Sequence, residues 1–82
     1  MGRSAEWGDG MMMYVLENRL KEIRLAQEKE QAEIAGLAGV SRSTYIRYEA
    51  GSILPNLLAA LRIADALGID NLREIWTYKN PH

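Results

Sequence analysis

A group of side chains that could bind a partner through hydrogen bonds lies between residues 31 and 51. It consists of two arginines, one amide and the three hydroxyl groups of serine and threonine, namely Gln31, Ser41, Arg42, Ser43, Thr44 and Arg47. They form no catalytic set: the chain has no cysteine, and its one histidine is the terminal His82. The chain also has no clustered carboxylates and no glycine-rich phosphate loop. We therefore expect a binding protein, not an enzyme, with no metal ion and no cofactor.

The length and composition of the chain fit one small globular domain. Its 82 residues are 48% apolar and 26% charged, the balance of an ordinary folded protein. We place the domain at residues 11–82. A domain of this size buries only a modest core, so dimerisation would stabilise it. Residues 1–10 are small, polar and charged, without periodicity, and we interpret them as a flexible leader or an added extension.

The distribution of charge and of apolar residues bears on location and partners. No apolar run reaches the roughly 18–20 residues of a membrane span, and the absence of cysteine fits a reducing compartment. We therefore expect a cytoplasmic protein without a membrane partner. Ten basic and eleven acidic residues leave a formal net charge of −1. Nucleic-acid binders usually carry a basic excess, so any positive potential here must be local.

Two short helices joined by a tight turn are predicted at residues 31–38 and 42–50. Gly39 can turn the chain because glycine readily adopts a positive φ, and Ser41 can cap the second helix. Ala35 leaves space where two steeply crossed helices approach. Apolar residues fill the angle between the helices: Ile34, Ala38, Val40, Tyr45 and Tyr48. The pattern meets several independent requirements of a helix-turn-helix.

Three further helices are predicted from hydrophobic periodicity. The first covers residues 17–28, with an inward face formed by Leu16, Leu20, Ile23 and Gln27. On this helix Glu17 and Lys21 would form an i,i+4 ion pair. The fourth helix follows the N-cap candidate Asn56, with Leu57, Leu61, Ala64 and Leu67 at helical spacing. A short fifth helix is predicted at residues 71–76.

The two ends of the domain are rich in β-forming residues. Residues 12–16 and 75–78 could pair as a two-stranded antiparallel ribbon. A lone ribbon is marginally stable in water unless it packs on something else, and a dimer interface would be one such support. The predicted fold class is thus all-α, with five helices and a short terminal β-ribbon.

The helix-turn-helix stretch resembles that of the lambda-repressor/Cro-like family, also called the xenobiotic-response-element type. The similarity lies in Gly39-Val40-Ser41-Arg42-Ser43-Thr44 followed by Tyr48-Glu49-x-Gly51, and it continues through Pro55 and residues 61–68. It covers about residues 18–76 and is greatest to short bacterial and phage regulators. The resemblance implies a compact five-helix DNA-binding domain. It also implies a transcription regulator, acting as a repressor, that binds a near-palindromic site on double-stranded DNA as a homodimer.

The resemblance assigns roles to individual side chains. A recognition helix in the major groove presents its first turns to base edges, and the residues implied here are Arg42, Ser43, Ile46 and Arg47. Arginine suits guanine O6 and N7, and an apolar side chain suits the thymine methyl group. Phosphate contacts are implied for Gln31, Ser41 and Thr44. The alternative for the arginines is an ordinary solvated helix face.

The resemblance also implies an ion pair between Arg24 and Glu49. It would tie the first helix to the end of the recognition helix, and so its role would be structural. Removing one partner of such a partly buried pair can cost roughly 3–5 kcal/mol. The alternative is two unrelated surface charges.

Several residues depart from the family pattern and weaken the expected affinity for DNA. Glu28, Lys29 and Glu30 stand where the family has a glycine, a core aliphatic residue and a Ser/Thr cap. The first helix is therefore expected to run on, and Glu30 puts negative charge near a phosphate. The loop at residues 52–54 is uncharged. Tyr45 replaces a branched aliphatic residue, so its hydroxyl is expected to reach the surface or a partner. We expect weak or strongly dimer-dependent binding.

Apolar residues after the recognition helix are predicted to form the homodimer interface, namely Ile53, Leu54, Leu57 and Leu58. The two recognition helices would then lie about one DNA turn, roughly 34 Å, apart. The alternative is that these residues close the core of the monomer. The same cluster, with the near-neutral charge, also fits a second function: a protein-interaction module such as an antitoxin, with weak or no DNA binding. No small-molecule ligand is expected in so small a domain.

Overall fold

Two short strands flank a run of four α-helices in the described part of the chain. The structure is a computed structural model, and it describes residues 14–80. The elements follow in the order β1 (Val15–Asn18), α1 (Leu20–Ala26), α2 (Gln31–Ala38), α3 (Arg42–Ala50), α4 (Leu57–Ala66), a 3₁₀-helix (Leu72–Glu74) and β2 (Trp76–Lys79). The interpretation of residues 1–10 as a leader lies outside the described residues, as does the part of the predicted ribbon before residue 14.

The two strands pair as the predicted antiparallel ribbon, with Leu16 opposite Tyr78 and Asn18 opposite Trp76. The ribbon is joined to the helices at its base. The side-chain amide of Asn18 donates a hydrogen bond of 3.3 Å to the carbonyl of Tyr48 in α3. Trp76 packs against the helical core. The ribbon therefore has the support that an isolated hairpin lacks.

The first helix starts later than predicted, because residues 17 and 18, which were expected to be helical, form part of a strand. Residues 15–18 form β1, and α1 begins at Leu20, whose N–H is capped by the Asn18 side-chain oxygen at 3.0 Å. Glu17 consequently does not pair with Lys21. Its carboxylate instead lies 3.2 Å from the ammonium group of Lys79 across the ribbon.

The first helix also ends earlier than predicted. It stops at Ala26, and Glu28 adopts a φ of 57°, a left-handed conformation that favours glycine. The expectation that the helix runs on through residues 28–30 is therefore wrong. Gln27 does not lie in the core as predicted: it is exposed, and its side-chain amide donates to the carbonyl of Leu67 at 2.8 Å.

The predicted fifth helix is reduced to a single 3₁₀ turn. The N–H of Ile75 donates to the carbonyl of Leu72 at 3.0 Å, the i to i+3 pattern of a 3₁₀ turn. The chain cannot continue as a helix because Trp76 enters β2, opposite Asn18. The described residues thus contain four α-helices where the sequence predicted five helices.

The helix pair α2–α3 coincides with the bounds predicted from the sequence. Gly39 takes a φ of 75° at the turn, and a Cβ there would lie only 2.8 Å from the guanidinium of Arg62. Ala35 is buried beneath the turn. The core is formed by residues of the four α-helices, of the position that follows α4 and of the segment before β2: Leu20, Ile34, Ala35, Ala38, Tyr45, Ile63, Ala64, Leu67 and Ile75. Within residues 14–80, no helix combines the length and apolar character needed to cross a bilayer.

Candidate nucleic-acid interface

The helix α3 is fixed at both ends and along one face. The hydroxyl of Ser41 accepts the N–H of Thr44 at 3.1 Å, which caps the N-terminus, and Gly51 ends the helix with a φ of 79°. Tyr45 is fully buried and Tyr48 packs against the core. The packing of this inward face therefore sets the orientation of the opposite, outward face.

The outward face carries the four side chains that the family resemblance assigns to base contacts. Since an α-helix turns by about 100° per residue, positions 42, 43, 46 and 47 fall within an arc of about 140°. Arg42, Ser43 and Arg47 are exposed and Ile46 is half-buried. Neither arginine meets a carboxylate within 4.0 Å among residues 14–80. Both guanidinium groups are therefore available to an outside partner.

The hydroxyl groups at the start of α3 are partly committed to each other. Ser41 donates its proton to the hydroxyl of Thr44 at 2.8 Å, while it also caps the helix. Thr44 accepts that bond and keeps its own proton free. Of the two predicted phosphate ligands on this turn, Thr44 is therefore the better placed to donate.

A buried ion pair connects the helices behind this face. The Nε and Nη2 of Arg24 each donate to the carboxylate of Glu49 at 2.9 Å, and the Nη1 donates to the carbonyl of Lys29 at 2.9 Å. The side chains of Arg24 and Glu49 are only 9% and 5% exposed. The pair is thus not two unrelated surface charges. It links α1, the α1–α2 turn and the last turn of α3.

The protonation of this pair follows from its surroundings. Burial acts to raise the pKa of the Glu49 carboxyl, but hydrogen bonds, above all from Arg24, outweigh it and hold that pKa below its ordinary value. The hydrogen bonds to Glu49 likewise hold the pKa of Arg24 above its ordinary value. Both groups are therefore charged at neutral pH.

The predicted phosphate ligand Gln31 belongs to the same network. Its side-chain amide donates to the Glu49 carboxylate at 3.2 Å, which leaves the second N–H of the amide uncommitted. Gln31 is the first residue of α2, and the preceding Glu30 makes no side-chain hydrogen bond to that helix terminus. Glu30 is exposed, so a phosphate group that approaches Gln31 would meet its negative charge.

The environment of Tyr45 differs from the prediction. Its side chain is fully buried, and its hydroxyl has no hydrogen-bond partner of acceptable geometry within residues 14–80. The expectation that the hydroxyl reaches the surface is therefore wrong; it lies instead beside the Arg24–Glu49 pair. Burial raises the pKa of Tyr45 above its ordinary value, and the proximity of its hydroxyl to the Glu49 carboxylate adds to that shift.

A leucine patch is exposed on the loop after α3 and on the adjoining face of α4. We define it as Leu54, Leu57, Leu58 and Leu61, which are 66%, 68%, 65% and 45% exposed. The predicted neighbour Ile53 is half-buried. The alternative that this cluster closes the monomer's own core therefore fails for the leucines. The periodicity marked Leu61 only as one of the residues at helical spacing on this helix, and the structure places it on this surface.

Comparisons with known proteins agree with this architecture. A model of the family described as helix-turn-helix matches residues 20–70. The cryptic phage CTXphi transcriptional repressor RstR of Vibrio cholerae serotype O1 is 40% identical over 63 residues, which are 74% of this chain and 56% of that protein. An uncharacterized HTH-type transcriptional regulator of Methanothermobacter thermautotrophicus is 38% identical over 65 residues, 79% of this chain and 88% of the relative.

A solved structure shows the same similarity in three dimensions. The restriction-modification controller protein C.AhdI from Aeromonas hydrophila superposes with a TM-score of 0.65 at 38% sequence identity, over 68% of this chain and 83% of that one. The four α-helices described above all lie within the residues that the family model matches. The chain spans just over half the length of the phage repressor, 56% of it.

Proposed function

Because this chain belongs to the lambda-repressor/Cro-like helix-turn-helix family, we propose that it is a sequence-specific DNA-binding transcription regulator that acts as a repressor. One observation carries the proposal. Arg42 and Arg47 are exposed and have no carboxylate partner among the described residues, and the other face of their helix is fixed by the core and by the Arg24–Glu49 pair. A rigid helix with free guanidinium groups is suited to reading the major groove.

In this proposal the outward face of α3 reads base edges. Arg42 and Arg47 donate to guanine O6 and N7, Ser43 bonds a neighbouring base, and Ile46 contacts a thymine methyl group. A good bidentate contact from arginine discriminates against the wrong base by about 1–3 kcal/mol. The two arginines therefore supply most of the sequence preference.

The backbone contacts come from fewer groups than the family usually provides. Gln31 has one uncommitted amide N–H and Thr44 one free hydroxyl proton, while Ser41 supports Thr44 through their shared bond. Glu30 and the uncharged loop at residues 52–54 provide no cation. Since each phosphate contact adds roughly 0.9 to the salt slope, non-specific affinity is low.

We place the homodimer interface on the leucine patch together with Ile53. Four leucines that are 45–68% exposed form an apolar surface of the kind that marks protein interfaces. Leu54 follows α3 after the short turn at Gly51, so pairing of two patches positions the recognition helices relative to each other. Two helices about 34 Å apart would read a near-palindromic site. The dimer comprises residues 11–82 of each chain and acts in the cytoplasm.

A second function rests on the same patch. A net charge of −1 and an exposed leucine surface also fit a protein-interaction module, such as an antitoxin, with weak or no DNA binding. In that case the leucine patch binds a different protein and α3 contributes only to the fold.

Selection from random-sequence DNA at two salt concentrations separates these functions. The regulator enriches a near-palindromic sequence, and the Arg42→Ala and Arg47→Ala variants lose that enrichment while they remain folded. Failure to enrich any sequence at either salt concentration overturns the proposal and favours the interaction module.

A further inference from the structure

A pocket of about 200 Å³ opens between α1 and α3 and is lined by Lys21, Gln31, Ile46, Glu49 and Ala50. We propose that this pocket receives a backbone phosphate of the bound DNA and that Lys21 is its cationic ligand. This inference rests on the DNA-binding function proposed above. Neither the periodicity of α1 nor the family resemblance assigned Lys21 a role in binding.

The position of the pocket connects it to the DNA-reading face. Two of its lining residues, Ile46 and Gln31, are the proposed thymine contact and the proposed phosphate contact. A phosphate in the pocket would therefore lie beside the C-terminal half of α3, next to Ile46, where a strand that borders the major groove can pass. A water molecule occupies about 30 Å³ in the liquid, so the pocket has room for several waters or one phosphate group.

Lys21 is the one cation among the five lining residues. It is exposed, and its ammonium group lies within 4.0 Å of no carboxylate in the range 14–80. Lys21 offers three N–H donors, and the neighbouring Gln31 offers the one that Glu49 does not use. These four donors suit the oxygens of a phosphate diester.

The carboxylate of Glu49 in the pocket wall does not repel the phosphate strongly. Its oxygens accept three hydrogen bonds, from Arg24 and Gln31, and its side chain is only 5% exposed. Arg24 balances this charge but cannot itself bind the phosphate, because its side chain is only 9% exposed and its guanidinium is committed to Glu49 and Lys29. The free positive charge of the pocket is therefore that of Lys21.

The salt dependence of DNA binding tests this assignment. We would measure the affinity of Lys21→Gln for the selected site and for an unrelated duplex across a range of salt concentrations. The control is Arg73→Gln, which removes an equal charge from an exposed residue of the 3₁₀-helix. Both are surface substitutions, and thermal denaturation would verify that both variants fold.

The inference predicts that Lys21→Gln weakens binding to both duplexes by a similar factor. The slope of log K against log salt falls by about 0.9 for each phosphate that is no longer neutralised, while Arg73→Gln leaves the slope unchanged. Equal slopes for Lys21→Gln and the wild type, or equal losses of affinity for the two variants, overturn the role of Lys21 and leave the regulator proposal standing. If the wild type binds neither duplex, both proposals fall.

Discussion

The guanidinium of Arg24 and the carboxylate of Glu49 are joined by two hydrogen bonds of 2.9 Å in a side-by-side fork. Such bidentate pairs fix direction as well as distance. Arg24 belongs to α1 and Glu49 to the last turn of α3, so the pair sets how α3 lies against the rest of the fold. The side-chain amide of Gln31, the first residue of α2, donates a hydrogen bond to the same carboxylate, so α2 is also linked to the pair.

Glu49→Gln is expected to destabilise the protein by about 3–5 kcal/mol, because it leaves Arg24 buried without a counter-charge. Chemical denaturation would measure the loss. The matched control is Glu22→Gln, which breaks the surface ion pair between Glu22 and Arg19. The side chain of Arg19 is 55% exposed and that of Glu22 is 66% exposed. An exposed pair contributes about 0–1 kcal/mol. Equal losses for the two variants would contradict a structural role for the buried pair.

The pH dependence of the unfolding free energy gives a second test of the stabilising role of Glu49. Because the pKa of Glu49 is lowered in the folded state, its stabilising effect is complete above the unfolded value of about 4.3 and is lost as the pH falls through the lower folded pKa. The difference in unfolding free energy between wild type and Glu49→Gln should therefore be constant from pH 7 to about pH 5 and shrink below about pH 4. A difference that persists unchanged down to pH 2 would mean that the pKa of Glu49 is the same in the folded and the unfolded chain, so that the pair does not stabilise the charged carboxylate.

Tyr45→Phe is expected to raise the stability of the protein. The hydroxyl of Tyr45 is buried without a hydrogen-bond partner of acceptable geometry among the described residues, and such a group costs about 1–3 kcal/mol. Removing it leaves the ring in place, so a higher melting temperature should follow. Tyr78→Phe, on the exposed ribbon, is the control and should be nearly neutral. A loss of more than about 1 kcal/mol in Tyr45→Phe would show that the hydroxyl does bond to Glu49.

Glu28→Gly is expected to stabilise the α1–α2 turn by about 0.5–1 kcal/mol. Glu28 holds a φ of 57°, which costs a non-glycine residue roughly 1–2 kcal/mol, and the greater entropy of glycine in the unfolded chain offsets part of the gain. Glu28→Ala removes the same charge but keeps the strain, so it should give little gain. Similar gains in the two variants would mean that the charge of Glu28, not its backbone conformation, is unfavourable.

Leu54→Asp is expected to prevent formation of the proposed homodimer and leave a monomer, because it places a charge in the proposed apolar interface. Sedimentation at micromolar concentration would show the change in mass. Leu37→Asp is the control, since Leu37 is 58% exposed on α2, outside the leucine patch. If the wild type already sediments as a monomer at that concentration, the dimer proposal is wrong.

The parts of the fold that local sequence signals determine were predictable. The bounds of α2 and α3 follow from Gly39 at the turn and from Ser41 at the N-cap, and both signals act within a few residues of where they appear. The limits of α1 were not predictable in this way. Its start depends on pairing with a strand at the far end of the chain, where Val15 lies opposite Lys79. Its end depends on a left-handed Glu28, which the residue type does not indicate.

The candidate site was likewise predictable only where local sequence signals determine it. The outward face of α3 could be derived from helical periodicity once Tyr45 and Tyr48 were placed inside. The proximity of Lys21 to Ile46 and Ala50 could not, because it depends on how the Arg24–Glu49 pair holds α1 beside α3. The exposure of Leu61 was not predictable either, because helical spacing alone does not show which face of α4 is buried. The buried face is the one that carries Ala60, Ile63 and Ala64.

The most direct test of the account is the ratio of affinities for a selected duplex and a scrambled duplex of the same length and composition. Fluorescence anisotropy titrations at one fixed salt concentration would compare the wild type with Arg42→Ala and Arg47→Ala. The account predicts that the wild type prefers the selected duplex at least about 1,000-fold and that each substitution lowers this ratio by about 5–150-fold, equivalent to about 1–3 kcal/mol. A wild-type ratio near one, or a ratio that both variants retain, would contradict the claim that this helix reads DNA.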